Sequence, residues 1–260
     1  YNELPSARGQ TLDADGYLEL DEHQPLVAQS RYYGDENEVY DPSAAVAPYM
    51  YRASVLRALS MGMRFLWTSS EAVALDPAVT RFFNATAGLS PEQANDAWCY
   101  LREAKVKKGP RKLVLKNFER WLEQREIDGY RTRPAEFVVR KAEHYDVDQP
   151  GEFSARSTDR AAGNSRIGFR VAGAFGRRAS GAKTLRVTYV DHGATFHLLY
   201  STASSVDSSA EVRGQNDGVE KTALFMMRGF EARRALDGSF DLALVADSGD
   251  LVASFVRLSR

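Results

Sequence analysis

Residues 41–71 read DPSAAVAPYMYRASVLRALSMGMRFLWTSSE, and this stretch predicts one helix followed by one strand. Asp41 suits the cap of the helix and Pro42 its first position, because an aspartate oxygen accepts a hydrogen bond from a free N–H of the first turn. Apolar residues then recur at helical spacing until Gly62, which can adopt the left-handed conformation that ends a helix. Residues 63–67 form a short apolar run that predicts a strand. A helix followed closely by a strand is typical of layered α/β proteins.

Polar and aromatic side chains gather at the end of this strand and in the segment before the helix. The strand ends at Trp67 and is followed by polar residues up to Glu71. Residues 31–40 hold three tyrosines and three carboxylates and follow another strand predicted at 26–30. In parallel α/β sheets and barrels, ligands bind at the carboxyl ends of the strands. We therefore expect residues 31–40 and Trp67 to face the same side of the sheet.

Composition sets the broad class of the chain. Its 260 residues are 43% hydrophobic and carry a formal net charge of -1, which is a normal globular composition. A near-neutral chain offers no overall electrostatic attraction to nucleic acid or to an anionic membrane. No run of about 18 apolar residues predicts a membrane-spanning helix. We therefore expect neither a nucleic-acid partner nor a membrane span.

The reactive side chains show no metal or cofactor pattern. Cys99 is the single cysteine, so no disulfide can form within the chain, and we expect it to be a buried apolar residue. The four histidines are scattered, without the spacing of metal ligands. The sequence therefore predicts neither a metal site nor a cofactor. The chain begins at Tyr1, and we expect it to be a processed product or part of a longer protein.

Two further helices are predicted after the strand. Asp76 and Pro77 form a helix start of the same kind as before, and the helix that follows would end near Gly88. Residues 90–93, SPEQ, match a capping box and predict a second helix. Trp98 would lie on its apolar face, next to the cysteine.

From about Arg133 the pattern changes from helices to short strands. Apolar runs are separated by clusters of Gly, Asp, Ser and Asn, and they predict at least seven strands. This pattern indicates an antiparallel sandwich. The predicted strands are 137–139, 167–171, 185–190, 196–200, 222–226, 240–245 and 251–258.

The chain is therefore predicted to contain two domains and a connector. Residues 1–115 would form the α/β part, and residues 133–260 the β-sandwich. Residues 116–132 would form the connector, in which Trp121 packs against its neighbours.

Four stretches of the chain carry a resemblance to known proteins. They are DAWCYLRE at 96–103, NFERWLEQR at 117–125, STD at 157–159 with GNSRIGF at 163–169, and LRVTYVDHG at 185–193. Together they resemble the C-terminal part of large extracellular glycoside-hydrolase-like proteins, in which a catalytic (β/α)8 barrel is followed by a jelly-roll module of carbohydrate-binding type. The likeness covers roughly residues 26–260, and its motifs are structural rather than catalytic.

The resemblance implies a fold and a set of site residues. The chain would be an α/β fragment, the end of a (β/α)8-type barrel, followed by an all-β jelly-roll sandwich. Retaining glycosidases with that barrel carry the nucleophilic carboxylate at the end of the seventh strand and often an aromatic sugar platform at the end of the eighth. Glu36 or Glu38 would then be the catalytic carboxylate. Trp67 would be the platform, with Tyr33 as a further substrate-binding residue.

The chain departs from this pattern in one respect. The general acid of such an enzyme lies several strands earlier, and residues 1–25 cannot hold those strands, because a whole barrel needs about 200 residues. The chain alone therefore lacks half of the two-carboxylate machinery that glycoside hydrolysis requires. The missing strands would lie in a second chain that completes the barrel, would lie in an earlier part of a longer protein, or have been lost.

Each candidate residue also has a purely structural interpretation. An acidic segment such as the one around Glu36 is favoured before a helix start by the helix dipole alone, and Trp67 can be a core residue. Tyr189, Asp191 and His192 lie at a strand end beside a hairpin loop, where a jelly roll can bind sugar. They can equally be ordinary hairpin residues. Both interpretations stay open.

Two functions are consistent with these features, and both have carbohydrate as the ligand. The first is the C-terminal portion of a secreted glycoside-hydrolase-like protein, incomplete as an enzyme on its own. The alternative is a non-catalytic carbohydrate-binding or structural component of an extracellular assembly. Asn84, in the sequence Asn-Ala-Thr, would be a glycosylation acceptor if the protein is secreted by a eukaryote.

Overall fold

The computed structural model of the chain describes residues 10–12, 18–20, 26–29, 46–67, 70–108, 111–139, 151–172, 175–176 and 181–260. The chain divides into two compact units. The first unit comprises Tyr1–Leu89, Ala104–Phe118 and Val138–Glu152, and the second comprises Ser90–Glu103, Glu119–Phe137 and Phe153–Arg260.

Most of the described elements are strands. In chain order the elements are β1 (Gln10–Leu12), β2 (Leu18–Leu20), β3 (Leu26–Gln29), α1 (Val46–Ser60), β4 (Met63–Trp67), α2 (Ser70–Leu75), α3 (Pro77–Thr86), β5 (Asp96–Tyr100), β6 (Glu103–Lys108), β7 (Arg111–Leu115), β8 (Phe118–Arg120), β9 (Leu122–Arg125), β10 (Arg133–Val139), β11 (Gly151–Ser157), a 3₁₀ helix (Arg160–Ala162), β12 (Arg166–Val171), β13 (Gly181–Val190), β14 (Thr195–Ser201), β15 (Val206–Ser208), β16 (Val212–Arg213), β17 (Glu220–Phe230), β18 (Leu242–Ser248) and β19 (Val252–Ser259). None of the helices in these ranges has the length and apolar character needed to cross a membrane.

The first unit contains the helix and strand predicted from residues 41–71. Gly62 follows the end of α1 with φ of 68°, and β4 begins at the next residue, so the predicted glycine stop and strand are confirmed. The predicted helix start at Asp41 and Pro42 lies outside the described residues. Apolar residues four apart on α1 share one fully buried face, as helical spacing predicts. They are Tyr51, Val55 and Leu59.

β3 and β4 form a parallel pair, in which Gln29 and Trp67 are partners at the last position of each strand. Parallel neighbours need a crossover connection, and α1 lies in the chain between the two strands. The pair and its helix form a βαβ unit of the kind found in layered α/β proteins. The (β/α)8 barrel stays a prediction, because a barrel needs eight parallel strands and one βαβ unit supplies two.

α3 begins and ends as the sequence predicts. The backbone N–H of Val79 donates to Asp76 Oδ1 at 3.0 Å, and Pro77 occupies the first helical position. The helix ends two residues before Gly88, which has φ of 73°. Asp76 also accepts a hydrogen bond from Arg52 Nε of α1 at 2.6 Å. The same carboxylate therefore caps one helix and ties it to another.

The helix predicted after residues 90–93 is wrong. The backbone N–H of Ser90 does donate to Gln93 Oε1 at 3.1 Å, as in a capping box, but the turn ends there and β5 follows. The apolar run 97–101 is buried at every position. A helix on a protein surface buries one stripe, whereas a strand covered on both faces buries consecutive residues. Cys99 lies in this strand and is buried, as predicted.

The second unit is an antiparallel β-sandwich, which confirms the predicted all-β part. One sheet, called the large sheet here, runs in the order β17, β13, β19, and both β11 and β5 pair with the far edge of β19. The other, the small sheet, runs in the order β15, β14, β18, β12, β9, with β16 paired to β14.

The inner faces of the two sheets form the core. Residues of β14 alternate between buried and partly exposed, as expected for a strand covered mainly on one face. Burying one large apolar side chain stabilises the fold by about 1.5–3 kcal/mol relative to leaving it exposed. Fully buried members include Leu185, Val187, Val256 and Leu258 from the large sheet and Phe169, Phe196, Leu198, Leu242 and Leu244 from the small sheet.

Residues expected in a helix and a connector also contribute to the sandwich. β5 pairs with β19 in the large sheet, and β9 pairs with β12 in the small sheet. Trp121 is buried and stacks on Phe175, with ring centroids 5.9 Å apart. β9 and Trp121, both within residues 116–132, therefore contribute to the sandwich. Strands from before Arg133 extend both sheets, because each pairs along the free edge of a later strand.

Candidate functional site

The candidate site residues of the first unit are only partly described. Tyr33, Glu36 and Glu38 lie outside the described residues, so their assigned roles stay predictions. The backbone of Trp67 ends β4, paired with Gln29 at the end of β3. The side chain of Trp67 lies outside the described part of the chain.

Asn84 lies in the last turn of α3 and is exposed. The hydroxyl of Thr86 in the same acceptor motif donates to the backbone oxygen of Phe82 at 2.7 Å. The asparagine is therefore accessible on the surface of a helix, and its glycosylation stays a prediction.

Tyr189 belongs to the core of the sandwich. It is buried, and its ring meets Phe196 edge to face, with centroids 5.0 Å apart and an interplanar angle of 72°. Burial raises the pKa of the Tyr189 hydroxyl, because the charged phenolate would lose its hydration. A sugar platform needs an open ring face, and the face of Tyr189 is closed by its neighbours.

Asp191, which follows β13, turns its carboxylate inward to organise two loops. It is buried and accepts hydrogen bonds from the backbone N–H groups of Gly193 at 3.0 Å, Gln215 at 2.8 Å and Asn216 at 3.1 Å. The ammonium of Lys221 lies 2.6 Å from its second oxygen. This ammonium, followed by the backbone donors, holds the pKa of Asp191 well below its usual range. The carboxylate is fully occupied within the protein.

The loop that Asp191 holds, residues 214–219, lies beside the β13–β14 turn. The backbone N–H of Gly214 donates to the oxygen of Ala194 at 2.9 Å, which joins the two segments. A Cβ at Gly214 would collide with the Asp191 carboxylate, so the close approach requires glycine. Asn216 has φ of 60°, a conformation that asparagine tolerates better than most residues. Its exposed side chain is thereby placed next to Gly193.

His192 is the exposed member of the predicted trio. Its Nε2 lies 2.9 Å from Glu136 Oε1, at hydrogen-bond distance, although the two residues are 56 positions apart. Glu136 has φ of 54° within β10, and its backbone oxygen accepts from the Ser154 hydroxyl of β11 at 3.3 Å. The irregular backbone at Glu136 thus brings β10 to the β13–β14 turn.

Phe137, the next residue of β10, has an open aromatic ring. It is 52% exposed, and its ring meets Phe153 edge to face, with centroids 5.4 Å apart and an angle of 71°. The described tryptophans and tyrosines of the second unit are buried. Sequence reasoning missed both Glu136 and Phe137. A usable signal was Pro134 in the same strand, because proline in a sheet marks an edge strand.

These residues form a polar and aromatic group at the end of the sandwich, because Phe137 follows Glu136 in the chain, Glu136 contacts His192, and Asn216 lies against Gly193. We call it the strand-end surface and define it as Glu136, Phe137, Phe153, His192 and Asn216. It offers an exposed ring, a carboxylate acceptor, an imidazole and a primary amide, with little net charge. Such a set suits an uncharged ligand with an apolar face and several hydroxyls. Among the described residues, no group of three or more His, Cys, Asp or Glu could hold a metal ion.

The fold and this surface define the second unit as a β-sandwich module with an exposed polar and aromatic site. No protein-family model matches the chain, and no curated protein does. One similar solved structure is the C-terminal CBM6 of LamC, a marine laminarinase from Zobellia galactanivorans: identity is 14%, 54% of this chain and 99% of that chain are covered, and the TM-score is 0.29.

A second similar structure is the carbohydrate-binding module CBM6cm-2 of Cellvibrio mixtus lichenase 5A in complex with cellotriose. Its identity is 12%, with 53% of this chain and 89% of that chain covered and a TM-score of 0.25. At such low identities and scores, the function of this chain has to be inferred from its own residues.

Proposed function

We propose that the second unit is a non-catalytic carbohydrate-binding module and that its strand-end surface takes a sugar ring on Phe137. The observation that carries this proposal is the exposed Phe137 ring, which meets Phe153 edge to face and directly follows Glu136, the partner of His192. A sugar presents C–H groups on one ring face and hydroxyls around its rim. The apolar face suits the aromatic ring, and the hydroxyls suit the carboxylate, imidazole and amide.

The expected affinity for one sugar ring is low. Covering the open half of the Phe137 ring contributes about 1–1.5 kcal/mol, half of what full burial of such a side chain contributes. Two or three hydrogen bonds to Glu136, His192 and Asn216 add about 1 kcal/mol each. The sum of about 3–4.5 kcal/mol corresponds at best to a dissociation constant in the millimolar range, because association also loses translational and rotational freedom. Useful affinity then requires several sugar units or several copies of the module.

The non-catalytic assignment follows from the carboxylates. Hydrolysis of a glycosidic bond requires a pair of carboxyl groups about 5–9.5 Å apart, flanking the bond. Within the described residues, the strand-end surface contributes Glu136, whereas Asp191 is buried and occupied by its loop contacts. A single carboxylate, already in contact with His192, can accept hydrogen bonds from sugar hydroxyls but does not supply the pair that hydrolysis needs.

For the whole chain, we extend the proposal to the C-terminal portion of a secreted glycoside-hydrolase-like protein with an extracellular location. The parallel β3–β4 pair and the sequence resemblance support it. Glu36 and Glu38 would be its catalytic carboxylates and Trp67 its platform, completed by strands outside this chain. The alternative is a structural component of an extracellular assembly, and the long exposed edge strand β17 supports that alternative.

An NMR titration of the ¹⁵N-labelled chain with a panel of soluble oligosaccharides tests the binding proposal. At least one glycan is expected to shift the amide signals of Phe137, His192 and Asn216. Phe137→Ala should weaken this binding about tenfold, the equivalent of about 1.4 kcal/mol, whereas Phe137→Trp should preserve it. Phe65→Ala is the matched control, because it removes another exposed phenylalanine, from β4 of the first unit.

Two results would count against the proposal. The first is a flat response of the wild-type chain to the whole panel. The second is binding that Phe137→Ala leaves unchanged, or weakens no more than Phe65→Ala does, since the ligand would then sit elsewhere.

A further inference from the structure

The large sheet ends in a long edge strand with an uncharged, apolar centre. β17 pairs with β13 on one side, and no other strand among the described residues pairs with it between 220 and 229. Leu224 is 57% exposed and Met226 63% exposed. The central residues 222–227 read TALFMM, with no charge, proline or glycine. Such an edge presents a row of free backbone donors and acceptors.

Edges of this kind are normally blocked in natural proteins. Short strands, prolines, bulges or central charges prevent a second chain from adding a strand. β17 has 11 residues, about twice the usual strand length. Its register against β13 shifts between Met227 and Phe230, near the end of the strand, and its centre carries none of these devices. The absence of protection indicates that a partner covers the edge.

The charges on β17 indicate which partner this is. Glu220 and Arg228 are exposed and stand on the same face as Leu224, because residues two apart point to the same side of a strand. Each lies four residues from Leu224, one before it and one after it. Within one chain the Glu220 carboxylate accepts a hydrogen bond from the Ser254 hydroxyl at 3.1 Å, across β13, and it has to turn toward the free edge to reach a partner. With that turn, the strand is complementary to itself when a second copy runs in the opposite direction.

We propose that β17 pairs antiparallel with β17 of a second copy of this chain, about a two-fold axis at Leu224. Glu220 then faces the partner's Arg228 at both ends of the ladder, and Leu224 faces the partner's Leu224 at the centre. The two large sheets join into one continuous sheet. The interface is isologous, so the assembly closes at two copies.

Other arrangements lose this complementarity. A parallel pairing in register would place Glu220 opposite Glu220 and Arg228 opposite Arg228, and like charges directly opposite are unfavourable. Shifting the antiparallel register by one residue would turn the apolar stripe of one copy to the opposite face. The charge pairs lie on the surface, so the dimer weakens as salt rises.

Sedimentation velocity of the full chain over a wide range of concentrations tests the proposal. The wild-type chain is expected to show a monomer–dimer equilibrium. Arg228→Glu and Glu220→Arg should each weaken the dimer about tenfold or more, and the double exchange should restore it, because it restores the opposite charges. Arg213→Glu is the matched control, a charge reversal at an exposed arginine of β16 that should have no effect.

Cross-linking at the symmetry axis gives a second, independent test. Leu224→Cys should form a disulfide-linked dimer under mild oxidation, because paired positions in an antiparallel ladder lie within the Cα separation that a disulfide spans. The native Cys99 is buried and stays reduced. Val206→Cys, at an exposed position of β15, is the control and should not cross-link.

Three outcomes would overturn the proposal: a chain that stays monomeric at every concentration, a dimer that neither charge reversal weakens, and open-ended polymers in place of a closed dimer. Phe137→Ala should leave the dimer unchanged. The dimer proposal and the carbohydrate-binding proposal can therefore be refuted independently of each other.

Discussion

Replacing Arg156 with methionine is predicted to destabilise the second unit by about 3–5 kcal/mol. Arg156 lies on β11 with a side chain 1% exposed. Its guanidinium donates to Glu103 Oε2 at 2.5 Å, Glu126 Oε1 at 2.7 Å and the hydroxyl of Thr132 at 2.5 Å. Glu103 is buried as well, so loss of the guanidinium leaves a carboxylate in the interior without this partner. A buried, unpaired carboxylate accounts for most of the predicted loss of stability.

The hydrogen bonds of Arg156 reach several strands, so its replacement should lower the stability of the whole sandwich. Glu103 comes three residues after β5, Glu126 directly follows β9, and Thr132 directly precedes β10. One side chain therefore ties three separate chain segments to β11. Domains are stable by about 5–15 kcal/mol in total, so the predicted loss would remove a large fraction of the stability. Arg133 is the matched control, because its pair with Asp250 is exposed and should contribute about 0–1 kcal/mol.

Urea unfolding followed by tryptophan fluorescence would measure the effect. Trp98 and Trp121 are buried in the second unit, and a Trp67→Phe background removes the signal of the first unit. Adding Glu103→Gln to Arg156→Met should recover part of the lost stability, because it neutralises the stranded carboxylate. The reasoning is refuted if Arg156→Met costs no more than Arg133→Ala.

Two further predictions concern Glu119 and Gly168. Burial raises the pKa of Glu119 from 4.5 to about 7. The folded state therefore holds this proton more tightly than the unfolded state does, and the resulting stabilisation, complete below about pH 4.5, is lost as pH rises through about 7. As pH rises from about 4.5 to about 7, the free energy of unfolding of the wild-type chain, measured with urea, should fall by up to about 3 kcal/mol more than that of Glu119→Gln. An equal pH dependence of stability in the two proteins would contradict this. At Gly168, a Cβ would stand 2.7 Å from the Phe240 ring. Gly168→Ala should therefore cost about 1–3 kcal/mol, seen in calorimetry as a lower melting temperature, and an unchanged one would contradict the crowding.

Local signals in the sequence led to correct elements where their partners lie close along the chain. Asp76 caps α3 through a contact with a residue three positions later, and Gly62 ends α1 through its own backbone conformation. The capping box at 90–93 shows the limit of such signals. Its local contact forms, yet pairing of the following residues with β19 decides that they become a strand.

In the candidate site, too, features that depend on nearby residues were predictable and features that depend on distant segments were not. The turn after β13 was predictable as a strand end, and His192 is indeed exposed there. The inward turn of Asp191 was not predictable, because three of its four donors, Gln215, Asn216 and Lys221, lie 24 to 30 residues away along the chain. Glu136 and Phe137 were missed for a similar reason. The contact of Glu136 with His192, and the place of Phe137 next to Glu136 in the strand, depend on the irregular backbone of β10 and on its pairing with β11.

By itself, the sequence determined where α3 begins, where α1 ends and that an antiparallel sandwich occupies the C-terminal half. Those features depend on alternation and on contacts within a few residues. Only the tertiary structure decided that residues 97–101 form a strand, that Asp191 serves the loops and that Glu136 meets His192. Each of these outcomes depends on which distant segments pack together, and burial and pairing across such distances outweigh the preference of any short stretch of chain.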